Sequence, residues 1–182
     1  MHHLHYATPV GTLAISFSSA GRLARVDWLP VLGELSTTAP ATEHLPSRIQ
    51  RMMREFHTYF TTGEPLDQDW VLSEALDEAC WTDFQRQVYR AVLEIPQGET
   101  RTYSWVANKL GRPGASRAVG QALRRNQHLI VVPCHRVVSA DDIGGFMGAI
   151  DPDAPELRFK QKLLSWEHSW RNPAFSFFEQ TA

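Results

Sequence analysis

The stretch Ile130-Val131-Val132-Pro133-Cys134-His135-Arg136-Val137-Val138 places a thiol, an imidazole and a guanidinium in a row between apolar residues. Short apolar runs of β-branched residues predict buried strand, with the polar trio at a break between two such runs. Burying three polar groups costs several kcal/mol, on the order of 2–7 for each one left without a partner. A cysteine attacks only as thiolate, so a thiol of ordinary pKa ~8.5 needs a cation, a helix N-terminus or a base beside it. His135 is the adjacent base, but neighbouring strand residues point to opposite faces. Direct contact therefore requires a turn or a bridging water. Glu167, far along the chain, can orient His135 and complete a Cys–water–His–Glu relay. A lone cysteine is usually an inert core residue, and Cys80, between Ala79 and Trp81, is read that way. Three consecutive polarisable groups are poor core material, which sets Cys134 apart.

The elements that must hold this stretch follow from pattern. At 182 residues with 43% apolar content the chain is one domain or a small one joined to a medium one. Leu13, Ile15 and Phe17 alternate within antiparallel strands over residues 3–28, with turns at Pro9-Val10-Gly11 and Ser18–Gly21. Residues 30–46 read as loop. Ile49, Met53, Phe56 and Phe60 predict a helix from Pro46 to Phe60, and 64–78 reads as an acidic linker. Phe84, Val88, Tyr89 and Val92 predict a helix over 82–94. Thr102 can cap a short helix over 103–110, and after Gly111-Arg112-Pro113-Gly114 a second helix runs over about 115–125. Two short helices joined by a glycine turn make a helix-turn-helix pattern, which also occurs as plain packing. The second helix carries Ala115, Ala118, Val119, Gly120 and Ala122. These small residues either pack on the first helix or lie against a nucleic-acid groove, and Arg117 beside them favours the groove. Asp153 and Glu156 form a capping-box pattern for a last helix over 154–168, with Leu157, Leu164 and the stem of Lys160 on it. The expected domains are 1–78 and 79–182.

Charge is divided unevenly. Residues 1–84 carry 5 Lys/Arg against 11 Asp/Glu, whereas 85–182 carry 13 against 9. Between 86 and 136 nine basic residues face only Glu94 and Glu99. Either this is a solvated helical surface or the second half faces a polyanion. No apolar run approaches the ~18 residues of a membrane span. Two cysteines are too few for a disulfide scaffold, and the N-terminus lacks a signal-peptide pattern, so a reducing, cytoplasmic setting is expected. His2, His3 and His5 lack a matching cysteine pair, so no metal site is expected there. No phosphate loop or other cofactor motif occurs, and no cofactor is expected.

Pro133-Cys134-His135-Arg136-Val137-Val138, with Arg117-Ala118-Val119-Gly120 and Asn126 before it, resembles the O6-alkylguanine-DNA alkyltransferase family. The resemblance covers about 81–167 and includes Phe84-Gln85, Ile95-Pro96, Gly98-Glu99, Tyr103 and Leu163-Leu164 before Glu167. It implies an α/β fold: an N-terminal ribonuclease-H-like antiparallel sheet with a helix, then a mostly helical C-terminal domain with a helix-turn-helix and a short active-site strand. It implies that Cys134 takes the alkyl group from O6 of a guanine flipped out of duplex DNA, irreversibly and once. O4-alkylthymine is a possible second substrate. His135 and Glu167 would draw off the thiol proton, and Tyr103 would hydrogen-bond or protonate the departing base. Arg117 would fill the gap in the stack, with Ala118, Gly120, Arg124 and Arg136 also on the DNA. Asn126 would brace the turn before the active site. Val137, Phe146 and Met147 would hold the guanine edge, with Lys160 supporting the pocket. Phe146 stands where the family usually has tyrosine, Met147 where a small polar residue is common, and Ala149–Pro155 looks longer than usual. A monomer acting on double-stranded DNA, with no membrane, is expected. The alternative is a non-enzymatic sensor of DNA lesions, against which the presence of Cys134 argues.

Overall fold

The computed structural model describes residues 1–29, 42–76, 78 and 81–171. The chain divides into two compact units. One comprises 1–80 with 127–131, the other 81–126 with 132–182. The Cys80 expectation, most of the 30–46 loop and the tail beyond Arg171 lie outside the described residues.

In the first unit, strands β1 (His2–Thr8), β2 (Gly11–Phe17) and β3 (Leu23–Leu29) form an antiparallel meander in chain order. Leu4 pairs with Ile15, Tyr6 with Leu13 and Phe17 with Leu23. The period of two in β2 puts Leu13, Ile15 and Phe17 on the buried face. Helix α1 (Ser47–Thr62) buries Ile49, Met52, Met53, Phe56, Tyr59 and Phe60, all four spaced positions expected from sequence among them. Its Phe60 ring lies 6.2 Å from Tyr6 of the sheet. Gly63, in the left-handed conformation, ends the helix.

Two expectations fail in this unit. The 64–78 stretch is not a plain linker. Asp67 accepts from Trp70 N–H to start a helical turn, α2 (Gln68–Trp70), which continues as a π turn over Val71–Ala75. Val71, Ala75 and Leu76 are buried, and Leu76 bridges Leu23. Their spacing follows a π turn rather than the 3.6-residue period, so periodicity did not reveal them. Nor is the apolar run before Cys134 a strand. Val26 N–H donates to Gln127 O at 2.8 Å and Val26 bridges His128, and then the chain turns with Ile130 at φ 72°. A β-branched residue in that region is an outlier imposed by its surroundings.

In the second unit, α3 (Asp83–Leu93) opens on a capping box in which Thr82 and Gln85 exchange side-chain and backbone hydrogen bonds. The two-residue strand β4 (Arg101–Thr102) runs parallel to β5 (Val137–Val138). Helix α4 (Tyr103–Lys109) starts under the Thr102 cap, which accepts from Trp105 N–H, and α5 (Ser116–Arg124) follows the glycine turn. Tyr89 on α3 donates to Ala122 O on α5 at 3.0 Å. The last helix, α6 (Pro155–Arg171), begins with proline at its first position, which suits proline's fixed φ and missing N–H. That start places Ala154, not the expected Asp153, at the cap. It runs past residue 168 and buries Leu157, Phe159, Lys160, Leu163 and Glu167, while Leu164 is only half-buried. Among the described residues no helix is long and apolar enough to cross a membrane.

Candidate active site

Cys134 does not sit in a strand. Pro133 (φ −79°, ψ 60°) bends the chain so that Cys134 N–H donates to Val132 O at 2.8 Å, and Cys134–Arg136 forms a single 3₁₀ turn feeding β5. This turn is what lets three successive polar side chains each find a partner. Asn126, just past α5, donates one amide nitrogen to both Val132 O (2.9 Å) and Cys134 Sγ (3.1 Å). The helix end, the turn and the sulfur are thereby tied together. Burial pushes the thiol above its ordinary value; the Asn126 bond and the Lys160 charge oppose this without reversing it. Burial thus favours the neutral thiol over the thiolate.

Behind the sulfur lies a closed charge cluster. His135 Nε2 lies 2.8 Å from Glu167 Oε1. Arg136 clamps the same carboxylate with Nε at 2.9 Å from Oε2 and Nη2 at 2.7 Å from Oε1. Arg136 Nη1 donates to Ile95 O at 2.8 Å, and Gly98 N–H donates to Glu167 Oε2 at 3.1 Å. Burial disfavours the Glu167 carboxylate, but His135 and Arg136 outweigh it and hold the group below the ordinary carboxylate range. Burial keeps the imidazole below its ordinary value despite Glu167. A neutral His135 that donates from Nε2 leaves Nδ1 as its acceptor, and Nδ1 is buried with no hydrogen-bond partner among the described residues. The guanidinium therefore balances the carboxylate, and the imidazole is left as a base.

This corrects one assignment. Arg136 was expected on the DNA face, but it is buried and its nitrogens are committed to Glu167 and Ile95 O. An apolar flank signalled the burial; only the fold could supply a carboxylate 31 residues away.

In front of the sulfur is a cavity of about 190 Å³, within the second unit. Cys134, Tyr103, Gly120, Arg124, Phe146 and Met147 line it, together with Gln121, Leu123, Gly145, Gly148, Ala149 and Ile150. Tyr103, first residue of α4, donates its hydroxyl to Gly145 O at 3.0 Å. Burial, with lesser contributions from Cys134 and Asp142, pushes this phenol up to about 12, so it keeps its proton. Gly120 faces the Tyr103 ring, 3.8 Å from where a Cβ would sit, so the small helix position widens the cavity. Phe146 is buried against Phe159, with ring centroids 6.2 Å apart. Phe146 and Ala149 exchange backbone hydrogen bonds around Met147 (φ 52°) and Gly148 (φ 96°), a type I′ turn. A side chain at Gly148 would press on Arg124 Nε at 2.8 Å.

Lys160 is fully buried, and its Nζ reaches Val137 O (2.7 Å), Ile143 O (2.6 Å) and Gly145 O (3.3 Å). Burial brings it down to about 8, with Cys134 and Asp142 pulling the other way. Gly145 O thus takes hydrogen bonds from Tyr103 and Lys160, linking α4, the glycine loop and α6. Sequence reading gave no role at the site to Gly98 N–H, Ile95 O, Gly145 O, Gln121, Leu123 or Ile150, although Ile95 and Gly98 lie in motifs of the resemblance. Three of these act through backbone atoms and three as lining, which leaves no side-chain signature, and the Gly98–Glu167 bond spans 69 residues.

On the outer side of α5, Arg117, Ala118, Gln121 and Arg124 are exposed while Val119 and Ala122 are buried. The small face is thus divided: Val119 and Ala122 pack inward, whereas Ala118 is turned outward beside Arg117. Among the described residues Arg117, Arg124 and Arg125 have no ion pair, whereas Lys109, Arg101 and Arg136 each have one. No group of three or more metal-ligating side chains occurs among the described residues.

Residues 83–169 match the family model of the 6-O-methylguanine DNA methyltransferase DNA-binding domain. A methylated-DNA–protein-cysteine methyltransferase of Methanosarcina acetivorans is 48% identical over 169 residues, covering 93% of this chain and 99% of the relative. One from Mycobacterium bovis is 36% identical over 178 residues, covering 94% and 96%. The crystal structure of the Mycobacterium tuberculosis O6-methylguanine methyltransferase superposes with a TM-score of 0.69 at 30% identity, covering 97% of this chain and 98% of that one. A structure of the Mycobacterium tuberculosis protein in complex with DNA superposes equally well, at 31% identity, covering 93% and 94%. The likeness is not confined to the half that holds the sulfur but runs almost the full length of the chain, which belongs to the methylated-DNA–protein-cysteine methyltransferase family.

Proposed function

We propose that this protein repairs alkylated DNA by moving the alkyl group from O6 of guanine to Cys134, once per molecule. The observation that carries this reading is a single thiol at the wall of a cavity, backed by a base and a carboxylate and faced by a protonated phenol. The Cys134 proton passes through one water to His135 Nδ1. The sulfur then attacks the alkyl carbon in line; the S–C bond forms and the C–O6 bond breaks. The electron pair leaves on the guanine ring, which takes a proton from Tyr103 at N3. The proton removed from the thiol finally restores Tyr103. Glu167 and Arg136 stay fixed, so the imidazole gains its charge beside a carboxylate already in place.

A base inside a duplex cannot reach this sulfur, so the nucleotide is flipped out, at a cost of a few kcal/mol for unstacking. Exposed Arg117 fills the gap. Ala118 and Gly120 let α5 approach the minor groove, and Arg124 and Arg125 meet phosphates. The resulting thioether cannot be hydrolysed, so each molecule is consumed by one transfer.

Incubation with duplex carrying O6-methylguanine, followed by mass spectrometry, tests the reading. The expected result is one added methyl on the peptide containing Cys134, absent in Cys134→Ser. A chain that binds the duplex yet stays unmodified would be a lesion reader instead. Arg117→Ala is expected to slow repair in duplex about tenfold or more while leaving reaction with free O6-benzylguanine much less affected. Equal slowing of both would remove Arg117 from the gap.

A further inference from the structure

The first unit carries a pair of side chains that alkyl transfer does not use. Strand β1 forms one edge of the antiparallel meander. Its period of two sends Tyr6 and Thr8 into the core and turns His3 and His5 to the outer face, where both are exposed. Residues two apart on a strand have Cα atoms about 7 Å from each other and side chains standing side by side. Rotation of the two rings brings one nitrogen of each to about 3 Å, the separation that two ligands take on one ion with metal–nitrogen bonds of ~2.0–2.1 Å. The neighbouring strand prepares this pair. Ser16 sits opposite His3 and Ala14 opposite His5. Ser16 Oγ lies 2.9 Å from His3 Nδ1. The tautomer that gives its Nδ1–H to Ser16 leaves the Nε2 lone pair for an ion, and a metal-bound histidine usually carries such an outer hydrogen bond. The His5 ring makes no hydrogen bond or ion pair among the described residues, and Ala14 beside it is small. On β3, Arg25 and Asp27 pair with each other, so that guanidinium is already balanced.

We infer that His3 and His5 form a two-point chelate for a divalent transition-metal ion, Cu(II) ahead of Zn(II), with water completing its shell. Imidazole nitrogen suits both ions, and a given nitrogen site takes Cu(II) more tightly than Zn(II). No third His, Cys, Asp or Glu joins the pair among the described residues, so the ion is held at an open, exchangeable site. The absence of a cysteine pair, which argued from sequence against a metal here, concerns a closed four-ligand zinc centre. Strand pairing adds what spacing alone did not show: two of the three terminal histidines share a solvent face, while His2 lies on the other side of β1. The site stands apart from Cys134 and does not depend on the alkyl-transfer reading.

The test titrates the full chain with Zn(II), and with Cu(II) nitrilotriacetate, whose ion has open positions only for the two imidazoles. Calorimetry should give one ion per chain in wild type. His3→Ala and His5→Ala should each raise Kd about a hundredfold, because one attachment replaces two. Ser16→Ala should raise it about tenfold by releasing the His3 ring. His2→Ala should stay within about twofold of wild type. The paramagnetic resonance spectrum of the copper complex should show coupling to two imidazole nitrogens, reduced to one in His5→Ala. Metal-free unfolding midpoints close to wild type would show that the variants fold. Undiminished affinity in His5→Ala would place the ion on His3 and its own backbone and overturn the inference. Several ions per chain, bound equally well by all the variants, would mean adventitious binding by scattered histidines and overturn it too.

Discussion

The two units bury very different material. Among the described residues, the first buries Leu13, Ile15, Phe17, Val26, Ile49, Met52 and Phe56 with only Thr8 and His128 as polar companions. The second buries Arg136, Lys160 and Glu167, with His135 and the Cys134 thiol among them. His128 is buried without becoming charged: burial lowers its pKa to about 4. Glu167 is buried and stays charged because Arg136 clamps it. An apolar core gains stability from area removed from water. A buried ion network gains little net stability over a hydrophobic packing of the same shape. Where a fold retains one, what it obtains is fixed geometry, here a base held behind a sulfur.

Cutting the clamp should give the largest effect. Glu167→Gln leaves Arg136 buried without its counter-charge, and is expected to destabilise the second unit by about 3–5 kcal/mol. Alkyl transfer should fall by at least tenfold in the molecules that remain folded, read as the methylation rate at a temperature below the unfolding transition. Phe56→Ala removes a fully buried ring from the first unit and should cost a similar ~3–5 kcal/mol. Its folded molecules should transfer at close to the wild-type rate. If both variants lost rate alike, the division of labour between the units would be wrong.

Acid should separate the units next. The folded His128 pKa is about 4, below the ordinary value of 6.5. Above pH 6.5 the residue is neutral in both folded and unfolded chains. Between 6.5 and 4 the unfolded chain binds a proton that the folded one refuses, so stability falls as pH drops, by on the order of 3 kcal/mol at most. Hydrogen exchange of the β2 amides at pH 7 and pH 4.5 reads this, and His128→Gln should flatten the difference. A difference that persists in the variant would assign the acid sensitivity elsewhere.

Asn126→Ala breaks both the Val132 and the Cys134 contacts. It should cost about 1–3 kcal/mol, because Val132 O loses a buried donor. Transfer should slow severalfold, since the turn carrying the sulfur is no longer tied to α5. The smallest effect belongs to the Thr82 cap. Thr82→Ala should lose about 1 kcal/mol with no change in rate beyond that. A change in transfer rate would mean that α3 positions the site more directly than its place in the core suggests.

Local pattern determined much of this molecule. The alternation of Leu13, Ile15 and Phe17 specified a half-buried strand, and the spacing of Ile49, Met53, Phe56 and Phe60 specified a helix face. Thr102 marked the start of α4 correctly, because a cap acts within three residues of itself. The thiol and its neighbouring imidazole stood out because three consecutive polar groups are poor core material, and Glu167, expected to orient His135, lies 2.8 Å from its Nε2. What local pattern could not settle was the conformation at Cys134, where Pro133 and the tertiary surroundings impose a 3₁₀ turn on residues that look like strand. It also could not show that Arg136 turns inward. Nothing within a few residues fixes which way that guanidinium faces; its direction depends on a carboxylate 31 residues later on α6. Nor could it give Gly98, Gly145 O or Ile150 their places at the site, which are a backbone donor, a shared acceptor and a position in the cavity lining. Hydrophobic periodicity and capping are encoded within a few residues. Pairing of buried charges and the shape of a cavity are set by groups that meet only when the chain has folded.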